Sequence, residues 1–150
     1  MPLRAQTGLI LRLADAADSP RCADIFLSGR RDAFPWHPPE MFRLRDYYDS
    51  VADEEVWVAV TAEGVVGFVS AALPDNTIRH LFVDAPWRNR GIGRELIGCA
   101  LGHLGTVAQL RCAARNLGAR AFYQRNGWQE VTAGTAADGD FVLYRKTAGS

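Results

Sequence analysis

Apolar residues in this chain fall first in a short unbroken run and then at helical spacing, and the period changes several times before the end. Residues 8–13, GLILRL, predict an opening strand. Asp18-Ser19-Pro20 then sets a capping residue ahead of a proline suited to a first helical turn, and Cys22, Ile25 and Phe26 supply that helix's apolar stripe. After the turn-rich FPWHPP, Met41, Leu44, Tyr48 and Val51 recur at helical spacing, which predicts a second helix from about Pro39 to Val51 and leaves Trp36 and His37 in the loop between the two. Residues 56–60 and 65–71, broken at Glu63-Gly64, read as a β-hairpin. After the turn at Pro74-Asp75-Asn76, residues 77–83, TIRHLFV, form a strand ended by Pro86, and Ile97, Leu101 and Leu104 give the next helix its buried face. Residues 109–112 are a further strand and residues 117–125 a last helix stopped by Asn126-Gly127. Residues 128–132 and 141–146 make a final strand pair joined by the loop AGTAADGD. The pattern predicts a mixed α/β fold with a mixed central sheet of about six to seven strands and helices on its faces.

Composition narrows the class. A chain of 150 residues with 48% hydrophobic and 23% charged residues suits a single globular domain over 1–150. No uncharged apolar run approaches the ~20 residues that span a bilayer, and the opening MPLRAQTGLILRLAD lacks a leader pattern, so the expected compartment is the cytoplasm and no membrane partner is expected. Cys22, Cys99 and Cys112, without a CxxC spacing, predict reduced thiols rather than a disulfide framework or a metal site. Seventeen basic residues balance seventeen acidic ones, which argues against nucleic acid as a partner. The distribution is uneven: residues 88–125 carry Arg88, Arg90, Arg94, Arg111, Arg115, Arg120 and Arg125 against Glu95 alone. That asymmetry suits either an anionic ligand or, for Arg115 and Arg120, the outer faces of helices.

The densest chemistry lies in PWRNRGIGREL, where Arg88, Arg90 and Arg94 surround Gly91 and Gly93 directly after the strand. Strand, tight turn and glycine-rich helix start let backbone N–H groups converge on an anion, while the helix dipole and arginines favour negative charge. A bare helix start would look similar. The third glycine of a dinucleotide fingerprint is replaced by Leu96, and no GK[ST] of a P-loop is present.

These residues resemble the GNAT superfamily of N-acetyltransferases. Arg88-Asn89-Arg90-Gly91-Ile92-Gly93 matches the family's [Q/R]xxGx[G/A] motif after the strand HLFV, and Asn116, Ala119, Phe122-Tyr123 and Gly127-Trp128 match its second pattern. The resemblance runs from about Leu9 to Lys146 and implies a GNAT-like fold with four helices on the faces of the sheet. It further implies acetyl-coenzyme A as acyl-donor co-substrate, lodged in a split between two central strands, with no metal. Its phosphates would sit on the amides of Arg88, Asn89, Arg90, Gly91, Ile92, Gly93 and Arg94, and its pantetheine arm against Leu81, Phe82 and Val83, where a strand amide near Phe82 polarises the thioester carbonyl. Asn116 would hold the arm or help order Tyr123, Ala119 would lie along the arm, and Tyr123 would protonate the departing thiolate; without the motif, Tyr123 reads as a core aromatic.

The expected reaction is direct attack of an amine on the thioester, with a small-molecule or peptide amine as acceptor and room for a homodimer. Family members often place a glutamate or histidine on the central strands as base. Thr77, Arg79 and Arg111 occupy those positions here, and none is a base. His80 is the nearby candidate, but strand alternation turns it away from Thr77 and Arg79 unless a bulge intervenes. Trp36 and His37 would border the acceptor. Arg79 and Arg111 would point to the acceptor side, either to pair with an acceptor carboxylate or phosphate, or to form ion pairs with acids such as Asp75 or Glu55. Two other readings stay open: a non-catalytic acyl-coenzyme A sensor of the same fold, and an interaction module with an exposed aromatic loop.

Overall fold

A computed structural model describes residues 3–6, 8–137 and 139–147. Among the described residues, one eight-stranded sheet runs in the order β1-β2-β3-β4-β5-β6-β8-β7. The strands are β1 (Leu3–Gln6), β2 (Leu9–Leu13), β3 (Glu55–Thr61), β4 (Gly64–Ala72), β5 (Thr77–Val83), β6 (Val107–Ala113), β7 (Gln129–Ala136) and β8 (Gly139–Thr147). Neighbours pair antiparallel except β5 and β6, which run parallel at the centre. The helices are α1 (Ser19–Ala33), α2 (Arg45–Ser50), α3 (Ile92–Leu101) and α4 (Leu117–Arg125).

Alternation along the strands divides the core in two. Trp57, Val69, Ile78, Leu110 and Tyr144 face α3 and α4 and bury Leu96 and Ile97 of α3. Val58 and Phe68 face the other way, where Phe26 of α1 and Tyr47 of α2 cover them. No helix among the described residues is long and apolar enough to cross a membrane.

Five local expectations are corrected. The sheet has eight strands against the expected six to seven, because β1 adds to its edge. The closing pair forms a longer hairpin, with AGTA and GD drawn into β7 and β8. The single helix over Pro39–Val51 is instead a 3-10 turn, Pro39–Met41, and the short α2. Phe42 between them is extended and buried, and the Asp46 carboxylate accepts the Arg43 N–H at 2.9 Å, which holds the break. Met41, Leu44 and Tyr48 are exposed, whereas Phe42 and Tyr47 are buried, so the apolar stripe is out of phase with the sequence reading. Asp18 precedes α1 without capping it: its carboxylate accepts from Arg12 at 2.7 and 2.9 Å and from the Asp15 N–H at 2.9 Å. Leu104 lies beyond the end of α3, where Leu101 is only half-buried.

Candidate active site

β5 and β6 pair only at Thr77 with Gln109 and Ile78 with Leu110, and then part. On its other side β5 stays paired with β4, through a bulge. Ser70 opposes His80 and Ala71 opposes Ile78, so Arg79 is the extra residue. The bulge shifts the phase of the strand. Ile78, Leu81 and Val83 face the α3 side, while His80 and Phe82 face α1. His80 thus lies on the Thr77 side of the sheet, the outcome that uninterrupted alternation forbids. The Asp84 N–H donates to the Val66 carbonyl at 2.8 Å, so ladder alternation turns the N–H groups of Leu81 and Val83 into the split and that of Phe82 into the sheet.

A cleft of about 510 Å³ occupies the parting. One wall comes from β5 and β6, with Thr77, Arg79, His80, Leu81 and Phe82 facing Gln109 and Arg111. The loop after α1 brings Trp36 and His37 to its rim, and Asn116, Ala119 and Tyr123 reach it from α4 on the opposite side of the sheet. Ala119 and Tyr123 lie one helical turn apart and so share a face. The Asn116 side chain accepts the Ala119 N–H at 3.2 Å and caps α4.

The glycine-rich turn lies outside the walls of the cleft. Gly91 stands at the N-cap of α3 with φ 83°, and Asn89 before it has φ 64°, both in the left-handed region. Gly91 supplies no side-chain cap, and the Glu95 N–H donates to its carbonyl at 3.1 Å, which leaves the N–H groups of Ile92, Gly93 and Arg94 without intrahelical acceptors. A Cβ on Gly93 would meet the Phe122 ring at 3.4 Å. The geometry fits an anion carried by a larger ligand. Its arginines are not equivalent: Arg88 donates from Nε to the Val83 carbonyl at 2.9 Å and approaches Asp32 at 3.4 Å, and Arg90 lies over the Trp87 ring at 4.9 Å. Arg94 is exposed.

Burial sets the titration of the central groups. Tyr123 has its phenol pushed well above the ordinary range by burial, with the Cys112 thiol adding to the shift, and its hydroxyl has no hydrogen-bond partner among the described residues. The same burial lowers His80 to about 4, helped by the nearby Arg79 and Arg30 guanidiniums, so the imidazole is neutral at pH 7. Its ring meets Phe26 edge-on at 5.0 Å. The thiols of Cys22 and Cys112 are pushed up to about 11 by burial, and all three cysteines are free. Among the described residues no group of three or more His, Cys, Asp or Glu side chains could hold a metal ion.

Two features escaped the sequence reading. Arg79 pairs with Glu54 at 3.3 Å, not with Asp75 or Glu55. The Glu54 side chain is 8% exposed and its pKa is raised by burial, against the opposing pull of Ser70 and Arg79. Extending the alternation of Val58 and Val56 two residues further back would have placed Glu54 on this face. Arg115 does not coat a helix. It precedes α4 and lies over the Trp36 ring at 4.2 Å, while Arg120 is structural, donating to the Tyr144 hydroxyl at 3.2 Å and the Ala114 carbonyl at 3.2 Å.

A family model described as an acetyltransferase (GNAT) domain matches residues 52–130, more than half of the chain. Among solved structures, the apo form of YjaB from Escherichia coli is 19% identical with a TM-score of 0.75, covering 95% of this chain and 99% of its own. PaiA N-acetyltransferase from Thermoplasma acidophilum, solved in complex with coenzyme A, is 16% identical with a TM-score of 0.74, covering 93% and 98%. Ribosomal-protein-S5-alanine acetyltransferase from Vibrio fischeri is 15% identical with a TM-score of 0.69, covering 100% and 98%. No curated protein sequence matches the chain.

Proposed function

Since the chain belongs to the GNAT acetyltransferase family, we propose that it moves an acetyl group from acetyl-coenzyme A to a primary amine of a small molecule or peptide, by direct attack on the thioester. The observation that carries this reading is the parting of β5 from β6 beside Tyr123, with an uncapped helix start on the same strand's continuation. The complex of PaiA N-acetyltransferase with coenzyme A supports the choice of donor. In this reading the pyrophosphate accepts from the N–H groups of Ile92, Gly93 and Arg94, and the pantetheine arm runs along Leu81–Val83 past Asn116 and Ala119. The thioester carbonyl accepts from a split-facing strand amide, Leu81 or Val83, which stabilises the charge that develops on its oxygen.

The amine lone pair attacks the thioester carbon, a C–N bond forms and the C–S bond breaks. The coenzyme thiolate takes the Tyr123 proton, and the proton shed by nitrogen passes to His80 or to water, from which the phenolate is restored. Burial keeps Tyr123 protonated at neutral pH, as an acid requires. His80 lowered to about 4 is a weak base, and that observation favours one other reading, an acyl-coenzyme A sensor with slow transfer.

Thiol release from acetyl-coenzyme A against a broad amine panel, with the acetylated product weighed by mass spectrometry, separates the two. Stoichiometric thiol and amide mark the enzyme; tight coenzyme binding without either marks the sensor.

A further inference from the structure

Four arginines line the cleft, Arg30, Arg79, Arg111 and Arg115, and Asp140 is the lone carboxylate in its walls among the described residues. Two of the four are already neutralised. Arg30 pairs with Asp46 at 3.1 Å and Arg79 with Glu54 at 3.3 Å. The other two have no carboxylate partner among the described residues: Arg111 lies over the Phe141 ring and Arg115 over the Trp36 ring, each at 4.2 Å. Asp140 accepts from the Thr135 hydroxyl at 3.0 Å. Counting Arg111 and Arg115 against Asp140 leaves the unpaired part of the cleft at +1.

A guanidinium seated on a ring has its face covered, but its five N–H donors lie in the plane and stay directed outward. Such a fork is suited to a carboxylate, which it can meet with two parallel charge-assisted bonds. The two arginines reach the cleft independently. Arg111 comes from β6, on the face away from buried Leu110 and Cys112, and Arg115 from the turn into α4, where it touches the loop after α1. Both stand among residues on the α1 side, away from the glycine-rich turn.

We propose that Arg111 and Arg115 form the acceptor's anion site, and that the acceptor is a small amine carrying its own carboxylate. This rests on the acetyltransferase reading and narrows its substrate class. A bare polyamine would bring only positive charge to a cleft with an unbalanced positive one, whereas an amino acid offers a carboxylate to the fork and a nitrogen to the thioester. Arg79, held by Glu54, is not part of the site.

The test compares kcat/KM, referred to the neutral amine, for the protein amino acids as free acids, as their carboxamides and as their decarboxylated amines, with spermidine alongside. It is run in the wild-type protein and in Arg111→Gln, Arg115→Gln and the double variant, with coenzyme A affinity measured on each by calorimetry. The expected result is that the best free acid exceeds its amide and decarboxylated counterpart by about tenfold or more. The variants should remove that preference mainly through KM while coenzyme A affinity stays within about twofold. Arg79→Gln serves as the contrast and should leave the acid-over-amide ratio in place. Transfer only to carboxylate-free amines, no transfer to any free acid by a protein that binds coenzyme A, or a ratio unmoved in the double variant would each overturn the proposal. So would a large loss of coenzyme A affinity in Arg115→Gln, which would make that residue a donor ligand. Failure of the wild-type protein to bind coenzyme A would sink the acetyltransferase reading itself, and the proposal with it.

Discussion

Tyr123 and His80 are governed by the same physical term, the cost of charge in a half-buried cleft, with opposite consequences. For Tyr123 burial keeps the phenol protonated, which is what the proposed reaction would require of an acid. Tyr123→Phe keeps the ring's contacts with Trp128 and Tyr144 and removes only the hydroxyl. Turnover should fall by about ten- to a thousandfold with coenzyme affinity unchanged, and steady-state kinetics beside calorimetry checks both halves. For His80 the consequence is a pH dependence of stability. Its folded pKa lies near 4 against 6.5 unfolded. Above 6.5 neither state holds the proton, and between 6.5 and 4 only the unfolded state does, so stability present above pH 6.5 is lost as pH falls through that window. The loss is ~3 kcal/mol at most. Urea unfolding at pH 7 and pH 4.5 should show a smaller acid loss in His80→Gln than in the wild type. An equal loss in both would mean that the imidazole is not buried neutral. The family resemblance, through the pattern Tyr123 shares with Asn116 and Gly127, made its place in the cleft legible. His80 was legible only as a candidate conditional on a bulge, because a bulge depends on how β4 counts against β5, and no local pattern in TIRHLFV records that.

At the scale of elements, the fold was legible wherever one period ran long enough. The strand over 77–83 and the helix over 117–125 match β5 and α4. The second helix failed because Phe42 and Tyr47 took the buried positions from Met41, Leu44 and Tyr48, a choice set by tertiary packing, of Tyr47 against Phe26 and Phe68 and of Phe42 against Phe34 and Arg30, rather than by spacing. The same layer bears on the site. Gly29 of α1 lets the helix close onto Phe82, since a Cβ there would fall 2.2 Å from the ring. Gly29→Ala should therefore cost about 1–3 kcal/mol, measured by denaturant unfolding, and should disturb β5 at the split. In the glycine-rich turn, Arg88 is tied to the Val83 carbonyl and Asp32, so Arg88→Ala should weaken coenzyme binding less than Gly93→Asp. The latter brings a carboxylate beside Phe122 and the free N–H groups of α3. A larger loss in Arg88→Ala, by calorimetry, would transfer the anion role to that side chain.

For the whole molecule, the even balance of charge conceals a division that the sequence half displayed. The arginines of 88–125 were visible as a block, but which of them is spent on structure is decided by acids far away in the chain. Asp32 meets Arg88 from far back in the chain and Glu130 meets Arg120 from just beyond the block, while Glu54 pairs Arg79 ahead of it. What is left exposed near the helix start should make coenzyme A binding weaken as salt rises, by about threefold or more between 50 mM and 500 mM, with titration calorimetry as the check. In the proposed reaction the coenzyme occupies the parting of β5 and β6 and ends on α3. The most direct test is a coenzyme A titration followed in the backbone amide spectrum of the 15N-labelled protein. The largest shifts should fall on Leu81, Val83, Ile92, Gly93 and Arg94, with Ala119 following. Shifts confined to other elements, or no saturable shift at these amides, would contradict it.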